Sequence, residues 1–448
     1  MSELLGYGIA AGLIIAWTVV LYVLQGRGLL EKYHLHPSGP FLMWKTERGR
    51  EFLDRLARPK RFWRAFGDAG ILIVAVTSAA TTLLLIWEAT IVSRPEVRQN
   101  APSPQLLLGL PGINPLIPLW YGIFGLAIAI VLHEFAHGVL SRVANVRIRS
   151  LGGIFLLVPM GAFVEPEEEE MKALPRRQRA RLYAVGPATN MILAVIFAVL
   201  FSTMTASSLA PIQRGIGIVD FATEKTECAC SPALEAGMDR YMVITSVNGT
   251  SVTNGVAFRD AIAQVQPGQI VVVEASDGVS IRSFNVNLTA EQGTGRPLLG
   301  IFAFDTNTDF FHPFSNSDRF GGVPGSILVY ISLPFQGRAP IQEPATYFYR
   351  IEGPWAAVPA PLYYLIANVL YWLFWLNVML GATNALPAIP LDGGYMFKDG
   401  VDALVSRVKK GIGTEARDRI SKRVSYFFAL FILALIVWQI IGPRIPIP

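Results

Sequence analysis

The chain has 448 residues, of which 52% are hydrophobic and only 16% are charged. Because soluble proteins carry about 25% charged residues, this composition argues against a soluble protein and indicates a membrane protein. The net charge of +5 comes from basic connecting segments rather than an exposed Lys/Arg-rich run interleaved with aromatic residues, so no nucleic-acid partner is expected. Two cysteines are too few for a scaffold of disulfide bonds.

The chain begins with two apolar runs, 4–24 and 69–92, each long enough to cross a bilayer, which takes about 20 residues. We interpret the first run as a membrane helix rather than a cleaved signal peptide, because it lacks a preceding basic region and a small-residue cleavage site. The segment 25–68 between the runs is polar and basic. Within it, 47–66 has the spacing of an amphipathic helix that lies on the membrane surface.

A third apolar run, 116–140, follows a proline-rich linker and contains the pattern His-Glu-x-x-His at His133, Glu134 and His137. Histidines four residues apart lie on one face of a helix, so both imidazoles can bind the same metal ion. Glu134 leaves a neighbouring side, from which it can hold a water at the metal and take its proton. Charged and polar groups inside a membrane helix are costly and usually functional. The pattern also arises by chance on buried helices, so it needs a second motif for support.

Basic residues are dense again in 141–183. Inside this segment, 151–164 is apolar but short and rich in Gly and β-branched residues, which predicts a hairpin that dips into the membrane against protein. A hairpin at the cytoplasmic surface is the alternative. The acidic residues of 165–170 predict a solvated turn. A fourth apolar run, 184–206, then begins with Gly186 and other small residues that allow helices to approach closely.

Residues 209–355 have the composition of a soluble domain. Its predicted elements are a strand at 243–247, a helix at 258–265, a hairpin of strands at 270–275 and 279–288, and a closing strand at 298–304. The tract 310–353 is rich in Pro, Gly and aromatic residues and is left unassigned. Cys228 and Cys230 are separated by one residue, a spacing that would strain a disulfide, so free thiols are expected.

The fifth apolar run, 359–386, ends in a second polar motif that reads Asn-Ala-Leu-Pro-Ala-Ile-Pro-Leu-Asp-Gly-Gly, from Asn384 to Gly394. Two histidines leave a zinc site short of a third protein ligand, which Asp392 can supply. The alternative is that Asp392 caps the helix that follows it. The two glycines after Asp392 let the backbone turn.

A sixth apolar run lies at 424–441, and the basic segments predict how the six spans are oriented. Lys and Arg mark the cytoplasmic side of a membrane. The segments rich in these residues alternate with poor ones and are 25–68, 141–183 and 398–423. One orientation therefore fits all six spans, with both termini and the insert extracytoplasmic. The third and fifth spans then run in the same direction, which brings His133 and Asp392 to a similar depth towards the cytoplasmic side.

Together the two polar motifs strongly resemble those of the site-2 protease family of intramembrane metalloproteases. In that family, His-Glu-x-x-His on one helix and Asn-x-x-Pro-x-x-Pro-x-Asp-Gly on a later helix complete a zinc site. Both motifs are intact, and the resemblance covers roughly 116–207 and 360–400. It implies one Zn²⁺ per chain, a general base at Glu134, and three metal ligands, His133, His137 and Asp392.

The same resemblance implies two substrate-binding residues, Asn384 and Asn190. Asn384 begins the second motif and would hydrogen-bond the substrate backbone, unwinding the substrate helix locally. Asn190 belongs to a Gly-Pro-x-x-Asn segment like that of the family and would hydrogen-bond in the active-site region, with helix packing as the alternative. The family also has a re-entrant β-loop at the position of 151–164, which would line the substrate groove.

Within the insert, 231–252 is similar to the Ser-Pro-Ala…Val-Asn-Gly pattern of PDZ domains. PDZ domains bind extended peptides by strand addition. The usual signature of their peptide-binding loop is not evident here. A peptide ligand and a spacer role are therefore both open for the insert.

The predicted fold class is an α-helical polytopic membrane protein with six transmembrane helices, a re-entrant β-loop and an inserted α+β PDZ-like domain. The predicted parts are N-terminal membrane helices with the basic connection, 1–115, a catalytic membrane core, 116–207, the extracytoplasmic insert, 208–355, and C-terminal membrane helices, 356–448.

The predicted function is a zinc-dependent endopeptidase that cleaves transmembrane segments of membrane-anchored substrates, as in regulated intramembrane proteolysis. Its partners would be membrane-spanning proteins, the lipid bilayer of the cell membrane and, at the insert, a peptide. The alternative is a catalytically silent membrane scaffold, but such a protein would be free to lose Glu134, which is present. A zinc transporter would need ligands along a path across the bilayer, whereas these candidates cluster at one depth.

Overall fold

The computed structural model describes residues 2–99, 103–107, 109–156, 158–222, 231–290, 295–409 and 411–445. The cysteines predicted to be free thiols, Cys228 and Cys230, lie outside the described residues. The chain divides into two compact units. The membrane unit comprises Met1–Ile196 and Trp372–Pro448, and the insert unit comprises Phe197–Tyr371.

Most of the chain is helical. The helices are α1 (Ser2–Gly26), α2 (Arg50–Leu56), α3 (Lys60–Ile91), α4 (Pro95–Gln99), α5 (Leu119–Val143), α6 (Glu168–Ala173), α7 (Arg176–Ser208), α8 (Pro232–Glu235), α9 (Gly255–Ala263), α10 (Gly322–Ser332), α11 (Ala360–Ala385), α12 (Asp392–Val408) and α13 (Thr414–Ile441). Among the described residues, five helices are long and apolar enough to cross a membrane, and they are α3, α5, α7, α11 and α13. The first predicted span lies in α1, whose stretch Gly12–Gly26 is also apolar. This first span stays a prediction.

The strands form separate sheets in the two units. They are β1 (Leu35–Ser38), β2 (Phe41–Thr46), β3 (Ile148–Leu156), β4 (Val158–Pro166), β5 (Leu209–Pro211), β6 (Ile216–Phe221), β7 (Val243–Val247), β8 (Thr250–Ser251), β9 (Ile270–Ser276), β10 (Ile281–Asn287), β11 (Thr289–Ala290), β12 (Pro297–Leu298), β13 (Ile301–Asp305) and β14 (Tyr349–Ile351). In the membrane unit, β1, β2, β3 and β4 follow one another in an antiparallel sheet, with β4 at one edge.

The strands of the hairpin predicted at 151–164 are present as β3 and β4, within a larger sheet, and its entry into the membrane stays a prediction. Strands β1 and β2 lie in the segment interpreted only as a polar connection, and β2 pairs with β3 so that Lys45 lies opposite Gly152. A Cβ atom at Gly152 would come 1.7 Å from the carbonyl oxygen of Trp44, so only glycine allows the strands this close. The prolines and glycine around β1 hid these short strands in the sequence pattern.

The surface helix predicted for 47–66 was wrong as a single element. It is broken between α2 and α3, because Pro59 lies at the junction and the residue before a proline disfavours helical conformation. The basic start of α3 is instead continuous with the second predicted span.

The acidic turn predicted at 165–170 was also wrong in part. Residues from Glu168 onward form α6, and neighbouring arginines pair with this acidic segment, Arg149 with Glu167 and Arg147 with Glu170. A short helix therefore replaces the solvated turn.

The insert unit contains a sheet in the order β10-β9-β7-β6-β13, with β8 paired to β7. The side chains of Ser231 and Asn254 accept hydrogen bonds from the first turns of α8 and α9, as expected of N-cap residues. The predicted hairpin is β9–β10, and its turn is closed by Asp277, whose pKa is lowered by backbone N–H groups of Ser280 and Val279. The unassigned tract contains α10.

Candidate metal centre

His133 and His137 lie one turn apart on α5, on the same face of the helix. Their ring centroids are 4.9 Å apart and their Nε2 atoms are 3.2 Å apart. His133 is only 5% exposed. The spacing predicted from the sequence thus brings both Nε2 atoms to one point in the interior of the membrane unit.

Asp392 reaches the same point from a different helix. Its Oδ2 atom lies 3.1 Å from Nε2 of His133 and 3.3 Å from Nε2 of His137. Asp392 is the first residue of α12, and the N-cap position is occupied by Leu391. The capping alternative does not describe this carboxylate, which is directed at the two imidazoles.

The two glycines after Asp392 allow α12 to begin directly against the end of α11. A Cβ atom at Gly393 would lie 2.1 Å from the carbonyl oxygen of Ala385, and one at Gly394 would lie 2.4 Å from the carbonyl carbon of Ala388. Backbone packs against backbone here, so neither side could give way to a side chain. The close packing explains why Asp-Gly-Gly follows the two prolines.

Each imidazole is oriented through its other nitrogen. Nδ1 of His133 donates a hydrogen bond to Oδ1 of Asn190 at 2.6 Å, and Nδ1 of His137 donates to the carbonyl of Leu182 at 2.8 Å. Asn190 is completely buried and donates to Asn377 Oδ1 at 2.9 Å. With the protons on Nδ1, both Nε2 lone pairs are free for a metal.

Two of these partners were missed in the sequence. The contact of Leu182 is made by its backbone carbonyl, so the residue type at this position does not predict it. Asn377 did carry one, because it is an isolated polar residue in the middle of an apolar run, where such residues are usually functional.

The donor atoms fit a tetrahedral metal. Zinc–nitrogen bonds of about 2.0–2.1 Å at tetrahedral angles place two donors about 3.3 Å apart, close to the separations of 3.1, 3.2 and 3.3 Å seen among Asp392, His133 and His137. The adjoining space is open because Gly186 borders it. A Cβ atom there would lie 2.3 Å from Nε2 of His137 and 2.5 Å from Nε2 of His133. Two imidazoles and a carboxylate form a donor set typical of zinc sites.

A cavity of about 390 Å³ opens onto this centre. Among the residues that line it are Glu134, Val164, Tyr183, Asn384 and Tyr395. Oε2 of Glu134 accepts a hydrogen bond from the backbone N–H of Val164 at 3.2 Å, so the carboxylate lies between α5 and the edge strand β4. Asn384 therefore faces the cavity, whereas Asn190 is buried behind His133.

The neighbouring carboxylate of Glu165 is engaged by the sheet itself. It accepts hydrogen bonds from Oγ of Ser150 at 2.6 Å and from Nζ of Lys45 at 3.2 Å. The hydrogen bond from Ser150 and the nearby lysine lower the pKa of Glu165. Glu165 is therefore paired within the sheet, whereas Glu134 lines the cavity beside Asp392.

Comparisons with known proteins found a matching family, a sequence relative and a solved domain. The family model of peptidase family M50 matches residues 121–432. An uncharacterised protein of the archaeon Methanocaldococcus jannaschii is 23% identical over 437 residues, which cover 96% of this chain and 94% of that protein. The solved PDZ domain of an SdrC-like protein from Listeria monocytogenes is 21% identical over 22% of this chain and 95% of its own, with a TM-score of 0.18, too low to support an argument about fold.

Proposed function

The chain belongs to peptidase family M50, a family of membrane-embedded metalloproteases, and we propose that it is a zinc-dependent endopeptidase that cleaves the transmembrane segments of other proteins. The observation that carries this proposal is the meeting of Nε2 of His133, Nε2 of His137 and Oδ2 of Asp392 beside Glu134 in one cavity. These residues are the proposed ligands and general base. α5 has the length and composition of a membrane span, which favours substrates within the bilayer.

A zinc ion bound by the three donors would supply Lewis-acid chemistry, polarising the scissile carbonyl and acidifying water. Asn190 and Leu182 hold the two histidines in the tautomer with Nε2 free. Glu134 would take the proton of the attacking water and pass it to the leaving amine. The N–H of Val164 keeps this carboxylate directed into the cavity.

Substrate binding must overcome the shielding of the peptide bonds of a membrane helix, whose carbonyls are engaged in their own hydrogen bonds. We assign the unwinding of the substrate to two features of the cavity wall. Strand β4 is an edge strand and can pair with an extended substrate segment. Asn384 lines the cavity and can bind the substrate backbone. Asn190 is proposed to position His133 rather than to touch substrate, because it is completely buried.

The remaining assignments extend the same proposal. We propose a membrane core at 116–207 and 356–448, preceded by N-terminal helices at 1–115 and interrupted at 208–355 by a PDZ-like extracytoplasmic insert. The strand order and the capped helices α8 and α9 support an α+β domain of this kind. We also propose that the insert binds a peptide and that the enzyme acts in regulated proteolysis.

Cleavage is expected to depend completely on zinc. Purified protein in lipid vesicles should cut at least one member of a panel of single-span substrates within its transmembrane segment, as mass spectrometry of the products would show. A chelator should stop the reaction, and added Zn²⁺ should restore it. If folded, zinc-loaded protein cuts no substrate while the insert binds peptides, the peptidase proposal is wrong and the protein is a catalytically silent membrane scaffold.

The proposed orientation can be tested by labelling cysteines in intact cells. The background is the Cys228→Ser/Cys230→Ser variant, which removes the two native thiols. Val279 is 97% exposed in the insert unit, and Val279→Cys should react with an impermeant reagent. Lys172→Cys, on the basic side, should react only after the membrane is permeabilised. The reverse pattern would overturn the orientation.

A further inference from the structure

Helix α12, which begins with Asp392, carries a line of residues spaced three and four apart. Residues at this spacing lie on one face of a helix. After Asp392 the line continues with Tyr395, Asp399 and Asp402. Each of the three contacts a side chain of α7, and the partners are Tyr183, Arg179 and Arg176.

The middle contact is a two-point ion pair. Nε of Arg179 donates to Oδ2 of Asp399 at 2.8 Å, and Nη2 donates to Oδ1 at 3.0 Å. Both side chains are mostly covered, at 19% and 15% exposed. Nη1 of Arg179 also donates to the carbonyl of Lys172 at the end of α6 and to that of Leu174 just after it. Such a planar pair fixes orientation as well as distance.

The other two contacts reinforce the pair on either side. The rings of Tyr183 and Tyr395 stack with their centroids 5.4 Å apart. Asp402 accepts from Arg176 of α7 at 2.5 Å and from Arg417 of α13 at 2.6 Å. α12 is therefore attached to α7 at three successive levels.

The same helix α7 also holds the two histidines. The carbonyl of Leu182 binds Nδ1 of His137, and Asn190 binds Nδ1 of His133. Tyr183 follows Leu182 directly, so adjacent residues of α7 contact a metal-ligating histidine and the helix of the third ligand. Helix α7 thus contacts both histidines and the helix that carries Asp392.

We infer that Arg179 and Asp399 are positioning residues, which keep α12 in the place where Oδ2 of Asp392 can share a metal with His133 and His137. The inference rests on the proposed zinc site. Neither residue is among those that line the cavity, so their role is separable from catalysis itself. Partners beyond the direct ligands typically contribute a factor of about 10–100 in metal affinity.

Charge reversal and exchange test this role. The variants are Arg179→Asp, Asp399→Arg and the exchanged pair Arg179→Asp/Asp399→Arg. The matched control is Arg177→Asp, which makes the same charge change on α7 at a residue paired with Asp68 of α3 instead of α12. Zinc affinity is measured by competition with a chelator, cleavage by kcat and KM, and folding by thermal denaturation of the metal-free protein. Asp399→Asn replaces the reversed variant if that variant does not fold.

Each single reversal should weaken zinc binding by about 10–100-fold and lower kcat with little change in KM. The exchanged pair should recover most of this loss, and Arg177→Asp should match the parent. The inference is overturned if the single reversals bind zinc with the affinity of the parent. It is also overturned if the exchanged pair loses as much zinc affinity as the two single variants together. A parent protein without zinc overturns both the site and the inference, whereas zinc binding without cleavage overturns only the proposed peptidase activity.

Discussion

Replacing Glu134 by glutamine is expected to lower cleavage by about a hundred- to ten-thousandfold, the usual contribution of a general base, and to leave zinc content unchanged. The amide keeps the shape of the side chain and can still meet the N–H of Val164 through its oxygen. It cannot accept the proton of water. Glu134 is also not one of the three donors that converge at the metal position.

Asp392→Ala, which removes a proposed metal ligand, is compared with Glu134→Gln, which removes the proposed base. Removing Oδ2 leaves two imidazoles to hold the metal, so zinc content and cleavage should both fall, as they should in His133→Ala and His137→Ala. Metal analysis and the rate of cleavage, measured on the same preparations, separate the two classes. Full cleavage by Glu134→Gln would show that another group is the base, and full zinc occupancy in Asp392→Ala would show that the third ligand lies elsewhere.

The apolar runs and the His-Glu-x-x-His motif could be recognised in the sequence because both are local patterns. The spacing of His133 and His137 predicts that they share one face of a helix, and apolar runs predict the five candidate spans. Asp392 could be paired with the histidines only through topology and family resemblance, since 259 residues separate it from His133. Its exact approach depends on backbone packing at Gly393 and Gly394.

Other features depend on contacts between distant segments and leave little trace in a single sequence. The sheet of the membrane unit joins β2 to β3, more than one hundred residues later along the chain. The arginines of α7 could be interpreted only as markers of the cytoplasmic side. The structure shows that Arg179 and Arg176 meet carboxylates of α12, which no local pattern on either helix predicts.

Gly186→Ala is expected to remove most of the bound zinc although it changes no ligand. The added Cβ would lie 2.3 Å from Nε2 of His137 and 2.5 Å from Nε2 of His133, in the space beside the donors. Carbon and nitrogen atoms in contact normally lie about 3.5 Å apart or more. The imidazoles cannot simply turn aside, because Asn190 and Leu182 hold both rings through Nδ1.

Occupancy should therefore fall to less than about a tenth of the parent value, as expected when metal ligands are displaced, and cleavage should fall with it. Gly400→Ala is the matched control, a glycine-to-alanine change on α12 where the new Cβ meets nothing within 4 Å. Thermal denaturation of the metal-free proteins separates a loss of zinc from a loss of fold. If Gly186→Ala binds zinc as the parent does, the metal does not lie on the side of the histidines that faces α7, and its proposed position beside Gly186 would have to be abandoned.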